Sequence, residues 1–242
     1  MWQKIQTAIE TVYPPRCLGC GDLVTSDFGL CGKCWRDTPF IDGTVCDSCG
    51  VPLPGARDGH RIECDDCMTH PRPWSDGRAA LLYTGRARRM VLALKHGDRP
   101  ELARPGGLWM ARSAAPLLHA NMLIAPVPLH WSRLLRRRYN QSALLAQSVG
   151  RQTGLPVCPD LLVRERATPM LEGMSTTQRA ETLANAISVH PRRHHRLTAR
   201  KLLLIDDVMT SGATLSAATR ACLDAGADQV FVLVLARVTR EA

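Results

Sequence analysis

Two sets of residues in this 242-residue chain have the types and spacing to do chemistry. The first is Asp206-Asp207-Val-Met-Thr210-Ser211-Gly212-Ala213-Thr214. Two adjacent carboxylates stand where an apolar run, Leu202–Ile205, stops, and a stretch of small residues follows. Gly212 permits close backbone approach, and the hydroxyls of Thr210, Ser211 and Thr214 can donate. With a helix opening behind it, such a turn exposes backbone amides at the positive end of the helix dipole, which suits a phosphate. One turn thus sets an acidic couplet beside an anion cradle. A sugar 5-phosphate fits: the phosphate sits on the cradle and the carboxylates accept from vicinal ring hydroxyls. A dinucleotide-binding turn would want Gly-x-Gly-x-x-Gly directly after the strand, and a P-loop would want Gly-Lys-Ser/Thr; neither is present.

The second set is cysteine. Eight of the ten form Cys-x-x-Cys pairs: Cys17/Cys20, Cys31/Cys34, Cys46/Cys49 and Cys64/Cys67. Each pair points two thiolates at one ion, and two pairs complete a tetrahedral zinc site. The simplest arrangement is two consecutive zinc ribbons, with Cys17, Cys20, Cys31 and Cys34 on one ion and Cys46, Cys49, Cys64 and Cys67 on the other. An interleaved cross-brace also satisfies the spacing. The first pair of each set ends in glycine, Gly21 and Gly50, as a tight knuckle wants. Four thiolates leave no open position for water, so both Zn²⁺ ions are expected to be structural. The segment has few large apolar residues, and each ion can replace a core with folding free energy on the order of 10 kcal/mol. His60 and His70 flank the last pair as substitute ligands, while Cys158 and Cys222 stand alone and read as buried filler.

The elements that must position these residues follow from pattern. His70-Pro-Arg-Pro73-Trp74 marks a boundary, which divides the chain into residues 1–73, an N-terminal helix with the double ribbon, and residues 74–242, an α/β domain. Trp2, Ile5, Ile9 and Val12 fall at helical spacing ahead of Pro14-Pro15. Beyond the boundary, Gly77–Tyr83 reads as a strand and Gly85–His96 as a helix that buries Met90, Val91 and Leu94. Asn121–Val127 reads as a buried strand, followed by a loop that turns basic at Arg133 and Arg136-Arg137-Arg138. Tyr139–Gln152 reads as a helix with Leu144, Leu145 and Val149 inside. Leu202–Ile205, a helix Leu215–Asp224 stopped at Gly226, and Val230–Leu235 complete a strand–helix–strand unit of a parallel sheet buried on both faces. The predicted fold is doubly wound α/β with a mostly parallel sheet, which binds ligands outside the carboxyl ends of its strands.

Charge is segregated. Net charge is +9 overall, −3 over residues 1–78 and +12 over residues 79–242. The basic part favours pyrophosphates or nucleic acid. Aromatic residues make up only 5%, so stacking platforms for bases are scarce and any DNA contact should run through phosphates and weaken with salt. No apolar run reaches the roughly 18–20 residues of a membrane span. Met1–Tyr13 carries Glu10 and lacks a signal peptide's apolar core. A cytoplasmic, reducing location is expected, which argues against disulfides.

The string from Leu202 to Thr214 resembles, at every position, the phosphoribosyl-pyrophosphate (PRPP) signature of type I phosphoribosyltransferases. The resemblance extends over most of the chain. The four cysteine pairs, Tyr83-x-Gly85, Leu94-Lys95-His96-Gly97, Pro126-Val-Pro128-Leu, Tyr139-Asn140-Gln141 and Arg179…Asn185 are similar to the ComF/GntX family. That family joins a zinc-ribbon module to a type I phosphoribosyltransferase fold and is linked to DNA uptake in competent bacteria. The resemblance implies that Asp206 and Asp207 contact the ribose, with Asp207 as the catalytic acid that holds the ring. It implies that Thr210, Ser211, Gly212, Ala213 and Thr214 hold the 5′-phosphate, and that Lys95, Arg133 and Arg137 lie on the pyrophosphate side with Asn140 and Gln141. It further implies that Mg²⁺ accompanies PRPP and that single-stranded DNA or the uptake machinery is a candidate partner. The implied activity is pentosyl transfer; a PRPP sensor or a DNA-handling accessory would reuse the same fold. One departure is visible: Arg138 stands where the family has glycine, and Tyr139 where it has phenylalanine. Another is the stretch Arg166-Ala-Thr168-Pro-Met170, which lacks an expected glutamine.

Overall fold

The structure, a computed structural model, describes residues 13–57, 59–165 and 186–239. The expected N-terminal helix, the stretch at Arg166–Met170 and the pair Arg179 and Asn185 lie outside the described residues.

Four strands form one parallel sheet: β1 (Gly77–Leu82), β2 (Leu123–Pro126), β5 (Lys201–Met209) and β6 (Gln229–Arg237), in the order β1-β6-β5-β2. Two short strands, β3 (Leu162–Arg164) and β4 (Ile187–Val189), pair antiparallel beside it. β5 is central, and the alternation of its side chains explains why an unbroken apolar run belongs there. Leu203 and Ile205 pack into one cluster with Phe231, Leu233 and Leu235 of β6. Leu202 and Leu204 pack into the other with Val230, Val232 and Val234. A strand buried on both faces has no position for a polar side chain until it emerges.

Helices cover both faces, as expected for a doubly wound sheet. The first face carries α3 (Gly85–His96), α4 (Ala103–Ser113) and α6 (Gln141–Thr153), which contribute Leu94, Met110, Leu145 and Val149 to the first cluster. The second face carries α7 (Ala213–Asp224) through Leu215, Ala218 and Cys222. Helix α3 has the boundaries its periodicity predicts. Between β2 and α6, where a basic loop is expected, the chain forms α5 (Trp131–Arg137). His130 caps it by accepting from the Ser132 amide, a side-chain device that hydrophobic periodicity does not register.

The ribbons pack directly on the α/β unit. Each holds one short helix, α1 (Gly32–Arg36) and α2 (Asp65–Thr69). Cys46, Cys49 and Cys67 belong to the same apolar cluster as β5, β6 and α7. Gly50 of the second knuckle has φ +71°, and a Cβ there would lie 2.6 Å from the Ala79 amide of β1. Asp47 and Arg78 form an ion pair across this contact at 2.7 Å, both side chains buried. Arg57 adds a second cation to Asp47 at 3.0 Å. Burial opposes ionisation of Asp47, but the Ile62 amide and the two guanidiniums outweigh it and lower its pKa.

Candidate functional site

At its carboxyl end β5 emerges from the sheet carrying Asp206 and Asp207. An open cleft enclosing about 270 Å³, solvent at its mouth included, lies against this end. Asp206, Val208 and the whole run from Met209 to Leu215 line it. Gly212, at φ +79°, takes the left-handed turn that starts α7 and sits at the helix N-cap. The predicted phosphate residues Thr210, Ser211, Gly212, Ala213 and Thr214 are therefore all brought to one concave surface with Asp206.

The two carboxylates have different partners. Asp207 is 8% exposed and ion-pairs with Lys95 of α3, Oδ1 to Nζ 3.0 Å. Asp206 Oδ1 accepts from the Ser142 hydroxyl and from the Asp207 amide, both at 2.9 Å. Burial first, and then the neighbouring Asp207 charge, push the Asp206 carboxyl up to about 7, against the opposing pull of Lys95 and these two donors. A carboxyl poised near neutrality at a cleft is a common mark of a functional site. Ser142 went unnoticed in the sequence because it lies 64 residues from its partner.

The basic candidates divide. Lys95 reaches the acidic couplet. Arg137 ends α5 and donates to Gln141 at 3.3 Å; Arg133 lies on the same helix. Asn140 caps α6, accepting from the Ser142 amide and donating to the Val127 carbonyl, both at 3.0 Å. Its side chain therefore fixes the helix that presents Ser142 to Asp206.

The cysteines form two clusters: Cys17, Cys20, Cys31 and Cys34, and Cys46, Cys49, Cys64 and Cys67, the sulfurs of each within 4.8 Å of one another. That spacing is right for four ligands about one Zn²⁺, and it makes the ribbons consecutive rather than interleaved. Burial opposes ionisation of Cys17, but amides from Cys31, Cys20 and Gly19 outweigh it and bring its thiol down to about 6. His60 and His70 belong to neither cluster. Cys222 lies outside both clusters, and burial pushes its thiol up to about 12; Cys158 is likewise buried.

Two arginines outside any local motif grip the Thr210–Thr214 loop from behind. Arg72 donates to the Ser211 carbonyl at 2.7 Å. Arg237 donates to the carbonyls of Thr210 at 2.7 Å and Met209 at 3.3 Å. Arg72 stands 139 residues from its acceptor, and no local spacing could announce it.

A family description, the double zinc ribbon domain, matches residues 8–68. Over a longer span, the chain is 30% identical over 223 residues to "DNA utilization protein YhgH" of Escherichia coli K12, covering 89% of this chain and 93% of that one. The chain belongs to the ComF/YhgH family. It is also 26% identical to "Competence protein F" of Haemophilus influenzae, over 92% of this chain and 96% of the relative. "Competence protein ComFC" of Bacillus subtilis is 24% identical over 84% of this chain and 82% of its own. Among solved structures, the glutamine PRPP amidotransferase of B. subtilis, in complex with ADP and GMP, has a TM-score of 0.40 at 19% identity. That likeness is loose and covers 59% of this chain and 30% of the amidotransferase.

Arg138 has φ +65°, the left-handed region that glycine occupies most readily. Its side chain is exposed and reaches Asp98 at 3.4 Å. The left-handed turn at the end of α5 is thus made by an arginine under backbone strain.

Proposed function

We propose that this ComF-family protein binds PRPP together with Mg²⁺ in the cleft at the end of β5 and transfers ribose 5-phosphate to a nitrogen nucleophile in the service of DNA uptake. The observation that carries the reading is the meeting of Asp206 and the Thr210–Thr214 loop on one cleft, with Asp207 beside Asp206 and ion-paired to Lys95. The DNA link is supported by the names of two relatives, which refer to DNA utilization and to competence.

In this reading the loop amides and the hydroxyls of Thr210, Ser211 and Thr214 hold the 5′-phosphate. Asp206 and Asp207 accept from the ribose hydroxyls and fix the ring. Lys95, already within 3.0 Å of Asp207, turns its remaining donors to the pyrophosphate, with Arg133 and Arg137 from α5. The donor set fits Mg²⁺: carboxylate oxygens are hard ligands, and the lysine beside one of them leaves most of the coordination to the oxygens of PRPP. When bound, the ion neutralises charge that builds on departing pyrophosphate. The C1′–O bond breaks and its electron pair leaves with pyrophosphate. The acceptor's lone pair then forms the new C1′–N bond, and the nitrogen's proton passes to solvent. Pre-set donors aimed at the leaving group are the main source of acceleration.

A second reading, a DNA-handling accessory, is favoured by α5, where Trp131 and Leu135 stand exposed beside the arginine run. Pyrophosphate release measured with a panel of nitrogen nucleophiles separates the two. Turnover with any acceptor supports transfer. DNA binding that survives loss of the aspartates and drops when Arg136–Arg138 become alanine supports the accessory.

A further inference from the structure

Arg72 lies in the stretch that leaves the second zinc cluster for β1, and its guanidinium joins that cluster to the phosphate loop. It is 8% exposed and ion-pairs with Asp66. Nε donates to Cys67 Sγ at 3.4 Å, and Nη1 donates to the Ser211 carbonyl at 2.7 Å. Beside it, Trp74 stacks within 5.9 Å of the same guanidinium and is pinned by donating from Nε1 to the Ser48 carbonyl of the second knuckle at 2.6 Å. A Cβ added to Gly212 would come within 3.0 Å of the Trp74 ring. The back of the loop therefore rests on residues that flank the second zinc cluster.

A peptide unit is planar and trans, so its N–H points opposite to its C=O. Arg72 holds the Ser211 carbonyl, which turns the Gly212 amide away from the guanidinium. Arg237 does the same for the amides of Thr210 and Ser211. Among the described residues, no backbone carbonyl accepts from Ser211 or Gly212. These amides are donors held ready for an anion. Among the described residues, the first ribbon makes no comparable contact: Arg86 and Arg99 tie it, through the carbonyls of Gly19 and Leu18 at 3.3 Å each, to α3 and the turn after it.

We propose that Arg72 is a positioning residue for the phosphate loop, and that the tie it makes between the loop and the second zinc cluster sets the affinity of the cleft for its phosphorylated ligand. Cys67 Sγ, held within the second cluster, gives the guanidinium a fixed acceptor. The proposal rests on the reading of the cleft as a sugar-phosphate site.

The test uses the full-length, zinc-loaded protein with Arg72→Ala and Arg72→Lys. Three quantities are read: zinc per chain, PRPP–Mg²⁺ affinity by calorimetry, and, without ligand, hydrogen exchange at the Ser216 amide, which bonds the Gly212 carbonyl at 2.8 Å. Both variants should keep both zinc ions. Arg72→Ala should bind PRPP about 10–100-fold more weakly, the loss of one charged hydrogen bond, with faster exchange at Ser216. Arg72→Lys, which keeps the charge but cannot bridge, should recover part of the affinity, and it carries the test if the alanine variant does not fold. Unchanged affinity and exchange in both variants would overturn the proposal. So would a loss of zinc that accounts for the weaker binding. If the wild type does not bind PRPP, the functional reading fails while the exchange data still decide the positioning role.

Discussion

Asp206 and Asp207 are neighbours in sequence with opposite situations: one is paired with Lys95, the other is held by neutral donors and driven upward in pKa. Between its ordinary value of 3.8 and about 7, Asp206 keeps a proton in the folded chain that the unfolded chain has released. The folded state then binds more protons, so stability falls as pH rises through that interval. Asp206→Asn should abolish this slope, which urea melts at about pH 5 and about pH 8 would reveal. Ligand affinity should move the other way. A carboxylate accepts from ribose hydroxyls better than a neutral acid, so PRPP should bind more tightly at about pH 8 than at about pH 6. A flat profile would place Asp206 outside the ligand's reach. The acidic couplet and the small-residue loop could be read from sequence because all their chemistry lies within thirteen consecutive residues. Ser142, Arg72 and Arg237 could not, because each meets the site across a long separation and through atoms that no motif encodes.

At the scale of elements, the apolar runs marked the cores of strands but not their ends. β5 continues past Ile205 through Asp206, Asp207, Val208 and Met209, because β6 keeps pairing as far as Arg237. α7 starts at Ala213, two residues ahead of Leu215, because periodicity sees only the first buried side chain and not the left-handed Gly212 cap. That cap is the junction on which the proposed phosphate cradle depends. Gly212→Ala forces an L-residue to positive φ and drives a methyl into Trp74. It should cost about 1–3 kcal/mol of stability and weaken PRPP binding, as denaturant melts and calorimetry would show. Wild-type stability in this variant would mean that the turn is not held as described.

Across the whole molecule, charge and metal are distributed unequally. The acidic ribbons, −3 over residues 1–78, lie against a +12 remainder, joined by the buried Asp47–Arg78 pair. Proline and a change of composition set a sequence boundary at residue 73, and side chains bridge it. Arg72 and Trp74 tie the second ribbon to the loop, and Cys46, Cys49 and Cys67 share an apolar cluster with the central strands. Stripping zinc should therefore lower the melting temperature of the whole chain in one cooperative transition, since each structural ion is worth on the order of 10 kcal/mol. Metal analysis should return two zinc ions per chain. A ribbon that melts alone, leaving the α/β unit at its original midpoint, would show the two parts to be independent.

The central claim is that one cleft receives a phosphorylated ribose, and titration of PRPP with and without Mg²⁺ tests it most directly. The wild-type protein should bind in a Mg²⁺-dependent manner. The double variant Asp206→Asn/Asp207→Asn should fold, keep its zinc and lose at least about a hundredfold in affinity, two charged hydrogen bonds being removed together. Absence of binding by the wild type, or undiminished binding by the double variant, would contradict the account.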